Sequence, residues 1–148
     1  MHPGVTTEQA AGRLSGRLSR QDILARDNPP RFWVLLYEPV LHTLVDSPET
    51  MYRQLIHMVE MSRRPNVTVQ VLPSGLHVAV KGAFHIAEVD AAMTAAYTED
   101  VTDGRTTQDP ATLSVLSERF RYLQTEAMTP SVSRVFMEKV AEERWKTA

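Results

Sequence analysis

Acid–base chemistry is the reaction type for which this sequence carries suitable side chains. Glu38 follows the apolar run 32–37 and precedes Pro39, so it lies at the carboxyl end of a predicted strand. Binding crevices of α/β sheets usually form at that end of parallel strands, which makes Glu38 a candidate acid, base or ligand-binding residue. The alternative is that Glu38 only caps the turn or the short helix that follows.

His85 is the candidate base. Alternation along the predicted strand 83–89 puts His85 on one face together with Ala83 and Ala87. These small neighbours leave room either for a ligand or for a covering helix. Of the two, the sequence favours a hydrogen-bonded histidine under a helix.

Tyr97 and Glu99 share one face of the predicted strand 94–99, and Gln70 in strand 67–72 can reach the same side. Pairing of all strands in one sheet would bring a set of polar side chains together beside an apolar wall: Glu38, Gln70, His85, Tyr97 and Glu99. Such a set would supply carboxylates, an imidazole and a phenol for ligand binding or proton transfer.

The other histidines and the missing motifs narrow the chemistry. His77 lies in the loop after Pro73, where it could close over a ligand, whereas His57 falls on the polar face of a helix. No histidine or carboxylate spacing suits a metal on a helix, and there is no cysteine, so we expect no metal. The sequence also lacks the glycine-rich motif that binds dinucleotides, the phosphate-binding P-loop and the GxSxG motif of serine hydrolases. We therefore expect that any reaction catalysed by this chain needs no cofactor.

The composition is that of a globular protein without an excess of basic residues. With 148 residues, 43% of them hydrophobic, the chain fits one domain over 1–148, in which we expect 1–8 to fray. A net charge of −2 does not favour a specific nucleic-acid partner. The sequence has no apolar run of signal-peptide or membrane-spanning length, so we expect a cytoplasmic protein without membrane contact.

Helix starts are marked by a polar N-cap residue followed by proline. The side chain of the N-cap accepts a hydrogen bond from a free backbone N–H of the first turn, and proline has no N–H that would need a partner there. This pair occurs three times: Ser47-Pro48, Asp109-Pro110 and Thr129-Pro130. Apolar residues at helical spacing follow each pair, and a further helix is predicted over 6–26. The last two helices are joined by a short link and are predicted to form a C-terminal helical hairpin.

Strands are predicted where β-branched and aromatic residues cluster, over 32–37, 67–72, 83–89 and 94–99. The first two flank a helix, as in a parallel βαβ unit, and the last two form a β-hairpin. The expected fold is therefore α+β, a mixed four-stranded sheet covered by about four helices.

Several short motifs between residues 32 and 99 resemble one family. In chain order they cover 33–38 (WVLLYE), 54–55 (QL), 66–73 (NVTVQVLP), 82–84 (GAF) and 97–99 (YTE). They resemble the C-terminal domain of bacterial XRE-type helix-turn-helix regulators, an antitoxin-like group in which this half is a domain of unknown function. The resemblance covers about residues 8–140.

This resemblance implies a regulatory module that follows a DNA-binding domain in full-length relatives and communicates with a small partner protein or ligand. Glu38, Tyr97 and Glu99 match motif positions of the family, and His77 has a family-like setting. His85 departs from the hydroxyl or small residue usual there. No helix-turn-helix precedes the motifs, so we expect a stand-alone domain, compatible with a homo-oligomer, that binds a small ligand or a partner protein and not DNA.

The alternative interpretation is a cofactor-free enzyme of small-molecule metabolism, such as a cyclase, isomerase or lyase. Its catalytic residues would be Glu38, His85 and Glu99. A closed apolar pocket that holds His85 and a carboxylate would favour the enzyme, whereas a flat exposed apolar patch would favour a partner-binding module.

Overall fold

The computed structural model describes residues 22–79, 82–89, 93–99 and 104–147, together with positions 12, 15, 16 and 19. Most of the predicted helix over 6–26 lies outside these residues, and its last part is the 3₁₀ helix Asp22–Ala25. The remaining elements, in chain order, are β1 (Phe32–Tyr37), α1 (Glu38–Leu41), α2 (Pro48–Met61), β2 (Val67–Leu72), the 3₁₀ helix Ser74–Ala79, β3 (Phe84–Val89), β4 (Met93–Glu99), β5 (Gly104–Thr107), α3 (Pro110–Glu126), α4 (Pro130–Val140) and the π-helical turn Ala141–Trp145.

The α+β class, the βαβ unit and the hairpin are confirmed. β1 pairs in parallel with β2, Phe32 opposite Val67, and β3 pairs antiparallel with β4, His85 opposite Tyr97. Beyond the expectation, β5 continues the second sheet by pairing antiparallel with β4. β1 and β2 have the bounds that the sequence predicts.

All three predicted N-caps are confirmed. Each cap oxygen accepts a hydrogen bond from the backbone N–H three residues on: Ser47 from Thr50 at 3.2 Å, Asp109 from Thr112 at 2.9 Å, and Thr129 from Val132 at 3.4 Å. Because the proline after each cap needs no partner for its nitrogen, the cap suffices to begin the helix.

The main core lies on one face of the β1–β2 pair. Helices α2 and α4 and the π-helical turn pack against this face. Leu55 and Met137 are almost completely buried there, as are Val71 of β2 and Leu41 at the end of α1. Trp145 closes the core, since its ring is buried and its Nε1–H donates to the Leu41 carbonyl at 2.9 Å.

α3 covers the inner face of the second sheet. It contacts β3 and β4, and the Arg119 guanidinium lies 5.8 Å from the centre of the Phe84 ring. Ala96 of β4 is buried under this helix layer and Ile86, its partner on β3, is half-buried. The inner and outer faces of β3 therefore alternate as the sequence predicts.

The strands lie in two sheets, which corrects the expected single four-stranded sheet. The segment between α3 and α4 occupies the edge of β2 that a third strand would need. There the Met128 N–H donates to the Val71 carbonyl at 2.9 Å, and the Val71 N–H donates to Ser133 Oγ at 2.9 Å. The Val67 N–H also donates to the Arg64 carbonyl at 3.1 Å, so backbone groups near both ends of this edge are engaged, and β3 does not extend the β1–β2 sheet.

The two C-terminal helices cover different parts of the fold. α4 packs against β2 and α2, whereas α3 packs against β3 and β4 and also contacts β2. The sequence predicts an apolar stripe on α4 made of Val132, Val135, Phe136 and Val140. Val140 is buried as predicted, but Val132 and Val135 are 52% and 65% exposed. Ser133 and Met137 share the buried face with Val140.

Across the described residues, no helix combines the length and the apolar character required to cross a membrane.

Candidate functional site

Glu38 lies where the sequence places it, at the carboxyl end of a parallel strand. Pro39 follows it in the single turn of α1, which turns the chain away from the sheet. Glu38 Oε2 accepts a hydrogen bond from the Ser74 N–H at 2.9 Å, and Oε1 lies 3.8 Å from His42 Nε2. The carboxylate therefore ties the two strand ends together and also faces a histidine.

The Glu38–His42 pair opens into a surface cleft of about 570 Å³. The cleft lies between α1, α4 and the π-helical turn. Its lining combines two carboxylates, two cations, a histidine and two apolar side chains: Glu38, His42, Phe136, Lys139, Val140, Glu143 and Arg144. We call this the Glu38 cleft. A pocket with charges of both signs beside an aromatic ring can orient a polar small molecule.

The C-terminal turn holds the cleft wall in place. Arg144 donates to the His42 carbonyl at 3.2 Å, and its guanidinium lies 5.0 Å from the centre of the Trp145 ring. The His42 ring meets Phe136 edge-on, with 6.4 Å between ring centroids. Contacts from two helical elements therefore fix His42, the partner of Glu38.

Gln70 is bonded inside the fold, away from this cleft. Its Oε1 accepts from Trp33 Nε1–H at 2.7 Å, and its Nε2 donates to the Met128 carbonyl at 2.8 Å. The side chain is only 6% exposed. These contacts make Gln70 a bridge between β1, β2 and the segment after α3, and none of them faces the Glu38 cleft.

His85, Tyr97 and Glu99 lie on the second sheet, on the side opposite α3. His85 and Tyr97 are directly paired, their ring centroids are 5.8 Å apart, and both side chains are exposed. The expectation of a histidine under a helix is therefore wrong. The helix covers the Phe84 face of β3, and no described element covers the His85 face.

This second group forms an exposed face of the second sheet, which we call the outer face. Its exposed or half-buried side chains are His85, Ala87, Val89, Ala95, Tyr97 and Glu99. The Tyr97 ring lies over Gly104 of β5, where an added Cβ would overlap the ring and its hydroxyl. Gly104 thus lets the tyrosine lie flat across the neighbouring strand.

The predicted site residues therefore divide between two places. Glu38 lines the cleft, whereas His85, Tyr97 and Glu99 lie on the outer face of a different sheet. Among the described residues, no hydrogen bond, ion pair or ring contact links Glu38 to the outer face. His77 falls in the 3₁₀ helix Ser74–Ala79, and its side chain lies outside what the structure describes.

Of the residues that line the cleft, only Glu38 was predicted from the sequence as a site residue. His42 follows Glu38 by four positions, the spacing that places two side chains on one side of a helix, and this signal could have identified the pair. Lys139 and Arg144 come from the other end of the chain, and no local pattern relates them to Glu38. In the described part of the chain, no group of three or more potential ligand side chains could hold a metal ion.

The fold and these two surfaces define a small α+β domain with a mixed-charge cleft and an uncovered sheet face. Residues 1–139 match the protein family described as a domain of unknown function, DUF5753, and the chain belongs to this family. Neither the curated proteins nor the solved structures include a match to the chain.

Proposed function

We propose that this chain is a regulatory module that binds a partner protein on its outer face. The observation that carries the proposal is the exposure of this sheet face, where Val89 is 54% and Tyr97 is 37% exposed. Exposed apolar sheet surface of this kind usually marks an interaction site. The partner's contact surface should be apolar, since Ala87 and Ala95 lie side by side on the outer face and Val89 follows at the end of β3.

The type of regulator follows from the sequence motifs. They resemble the C-terminal domain of antitoxin-like XRE regulators, and in that group the domain communicates with a small partner. We extend this role to the present chain, without specific DNA binding, on the strength of the motifs and of the net charge of −2.

Affinity purification from the native host, followed by quantitative mass spectrometry, tests the partner. A protein in near-stoichiometric amount should co-purify with the wild-type chain and disappear with Tyr97→Asp or Val89→Asp. Tyr122→Asp is the matched control, because Tyr122 is 52% exposed on α3 and lies away from the outer face. Equal recovery with Tyr97→Asp and Tyr122→Asp, with both variants folded, would contradict the proposal.

A second candidate is a small-molecule site in the Glu38 cleft, either regulatory or catalytic. The observation that favours it is the Glu38–His42 pair, with 3.8 Å between carboxylate oxygen and imidazole nitrogen. The two groups lie within ion-pair distance but beyond hydrogen-bond distance, so a ligand would have to draw them together for the carboxylate to orient the imidazole in proton transfer. Lys139 and Arg144 beside it suit an anionic group on the ligand, and this candidate replaces His85 with His42 as the base.

Native mass spectrometry of the purified chain separates the two candidates. A bound small molecule that is lost in Glu38→Gln and Lys139→Met, but kept in Tyr97→Asp, would favour the cleft. A chain that carries no added mass, yet recovers a partner protein through Tyr97, would favour the outer face alone.

A further inference from the structure

Within the part of the chain that the structure describes, strand β1 presents an unpaired edge. The Phe32 N–H donates to the Asn66 carbonyl at 2.8 Å, so the parallel ladder uses the backbone of the even-numbered residues of β1. The backbone of Trp33 and Leu35 and the N–H of Tyr37 therefore point away from β2. Among the described residues, no strand pairs with this side of β1.

The sequence of β1 has none of the residues that usually keep edge strands apart. Natural edge strands carry lysine, proline or a bulge, or are covered by another element. The sequence of β1 is FWVLLY, without charge, proline or glycine, and the Trp33 side chain is 52% exposed. An uncharged edge with free backbone groups is a template for another strand.

We propose that a second copy of this chain supplies that strand, with β1 paired antiparallel to β1 about a twofold axis at Leu35. In this register each Leu35 exchanges both backbone hydrogen bonds with Leu35 of the second copy. The Tyr37 N–H of each copy donates to the Trp33 carbonyl of the other. Trp33 and Tyr37 then form aromatic cross-strand pairs on one face, a pairing that stabilises antiparallel sheets.

The charges next to β1 fit this arrangement and disfavour a parallel one. Arg31 precedes the strand and Glu38 follows it, while the strand itself is neutral. Antiparallel pairing places the Arg31 end of one copy beside the Glu38 end of the other. Parallel pairing would align like charges at both ends, which is destabilising.

The association also closes after two copies. At the far edge of β2, the Val71 backbone bonds Met128 and Ser133 and the Val67 N–H bonds the Arg64 carbonyl, so the backbone groups near both ends of this edge are already engaged. The result is a continuous sheet in the order β2-β1-β1-β2 with a single twofold interface. A closed isologous dimer of this kind does not propagate into a fibre.

Sedimentation velocity with charge-swapped variants tests the dimer and its register. The wild-type chain should sediment at twice its mass of 16.7 kDa at micromolar concentration. Leu35→Lys and Leu35→Glu should each be monomeric, because the axis sets two like charges opposite each other. An equimolar mixture of the two variants should restore a dimer. A monomeric wild type, or single variants that remain dimeric, would overturn the proposal.

A cysteine variant gives a second measurement that does not rely on a buried charge. Directly opposed residues in a hydrogen-bonded antiparallel pair have Cα atoms about 5.5 Å apart, so two thiols at the axis lie within reach of a short thiol-reactive crosslinker. The chain has no other cysteine, so Leu35→Cys should form a covalent dimer with such a crosslinker. Val132→Cys, exposed on α4, should stay monomeric. Absence of the Leu35→Cys dimer from a folded sample would contradict the twofold axis at this residue.

Discussion

Ser133 and Val71 are joined by a hydrogen bond inside the protein. Ser133 Oγ accepts from the Val71 N–H at 2.9 Å, and neither side chain has any exposed surface. Through this bond, a serine at the start of α4 satisfies a backbone donor at the edge of β2. The edge of the parallel sheet is closed by a side chain in place of a third strand.

Replacing Ser133 with alanine should therefore destabilise the fold. The substitution leaves the buried Val71 N–H without its partner, which costs about 1–3 kcal/mol of unfolding free energy. Denaturant unfolding followed by circular dichroism measures this change. Ser114→Ala on the exposed side of α3 is the control, with a change of less than about 0.5 kcal/mol. Equal stability of the two variants would mean that the edge of β2 finds another partner.

Among the residues of the C-terminal turn, Trp145 should be the one whose replacement lowers the free energy of unfolding most. Its ring is 6% exposed and its Nε1–H bonds the Leu41 carbonyl, so Trp145→Ala should lower the unfolding free energy by about 3–5 kcal/mol. Trp145→Phe should keep part of this packing and lose the hydrogen bond. Val135→Ala, at a residue 65% exposed on α4, controls for a change on the surface. A Trp145→Ala cost below about 1 kcal/mol would show that the π-helical turn is not part of the core.

A polar network on the same turn should give the stability a defined pH dependence. Tyr52 of α2 donates to Glu142 at 2.8 Å, and Lys146 donates to the same carboxylate at 2.6 Å. The bond from Lys146, followed by that from Tyr52, lowers the pKa of Glu142 below its ordinary 4.5. The bond to Glu142 raises the pKa of Tyr52 above 10.0 and that of Lys146 above 10.5.

These directions fix the pH window in which the network stabilises the protein. The Glu142 contribution is present above pH 4.5 and is lost as pH falls through its lowered pKa. The Tyr52 and Lys146 contributions are present below their ordinary pKa values and are lost as pH rises through the raised ones. The difference in Tm between wild type and Glu142→Gln should thus be largest near neutral pH and shrink at both extremes. With Glu143→Gln as the control, a difference that does not vary with pH would refute the network.

Features governed by neighbouring residues were predictable from the sequence. Each N-cap needs only a polar side chain, a proline and the next turn, so Ser47, Asp109 and Thr129 could be assigned directly. The bounds of β1 and β2 also follow from their continuous apolar runs. Glu38 could be placed at the carboxyl end of a strand because Pro39 ends that strand.

Features that depend on distant residues were not predictable. The division into two sheets results from contacts of Met128 and Ser133 with Val71, more than fifty positions away in the sequence. Serine is usually a surface residue, so the sequence pattern of α4 predicted that Val132 and Val135, and not Ser133, lie on its buried face. The short strand β5, with the sequence GRTT, has no apolar run to indicate it.

Site-specific photo-crosslinking in the native host tests most directly whether a partner protein docks on the outer face. A photoreactive residue at Ala87 lies in the middle of that face, whereas the same residue at Ser114 lies on the exposed side of α3. We expect Ala87 to capture one protein reproducibly and Ser114 to capture none in comparable yield. Crosslinks from Ser114 with no product from Ala87, in folded variants, would contradict docking on this face.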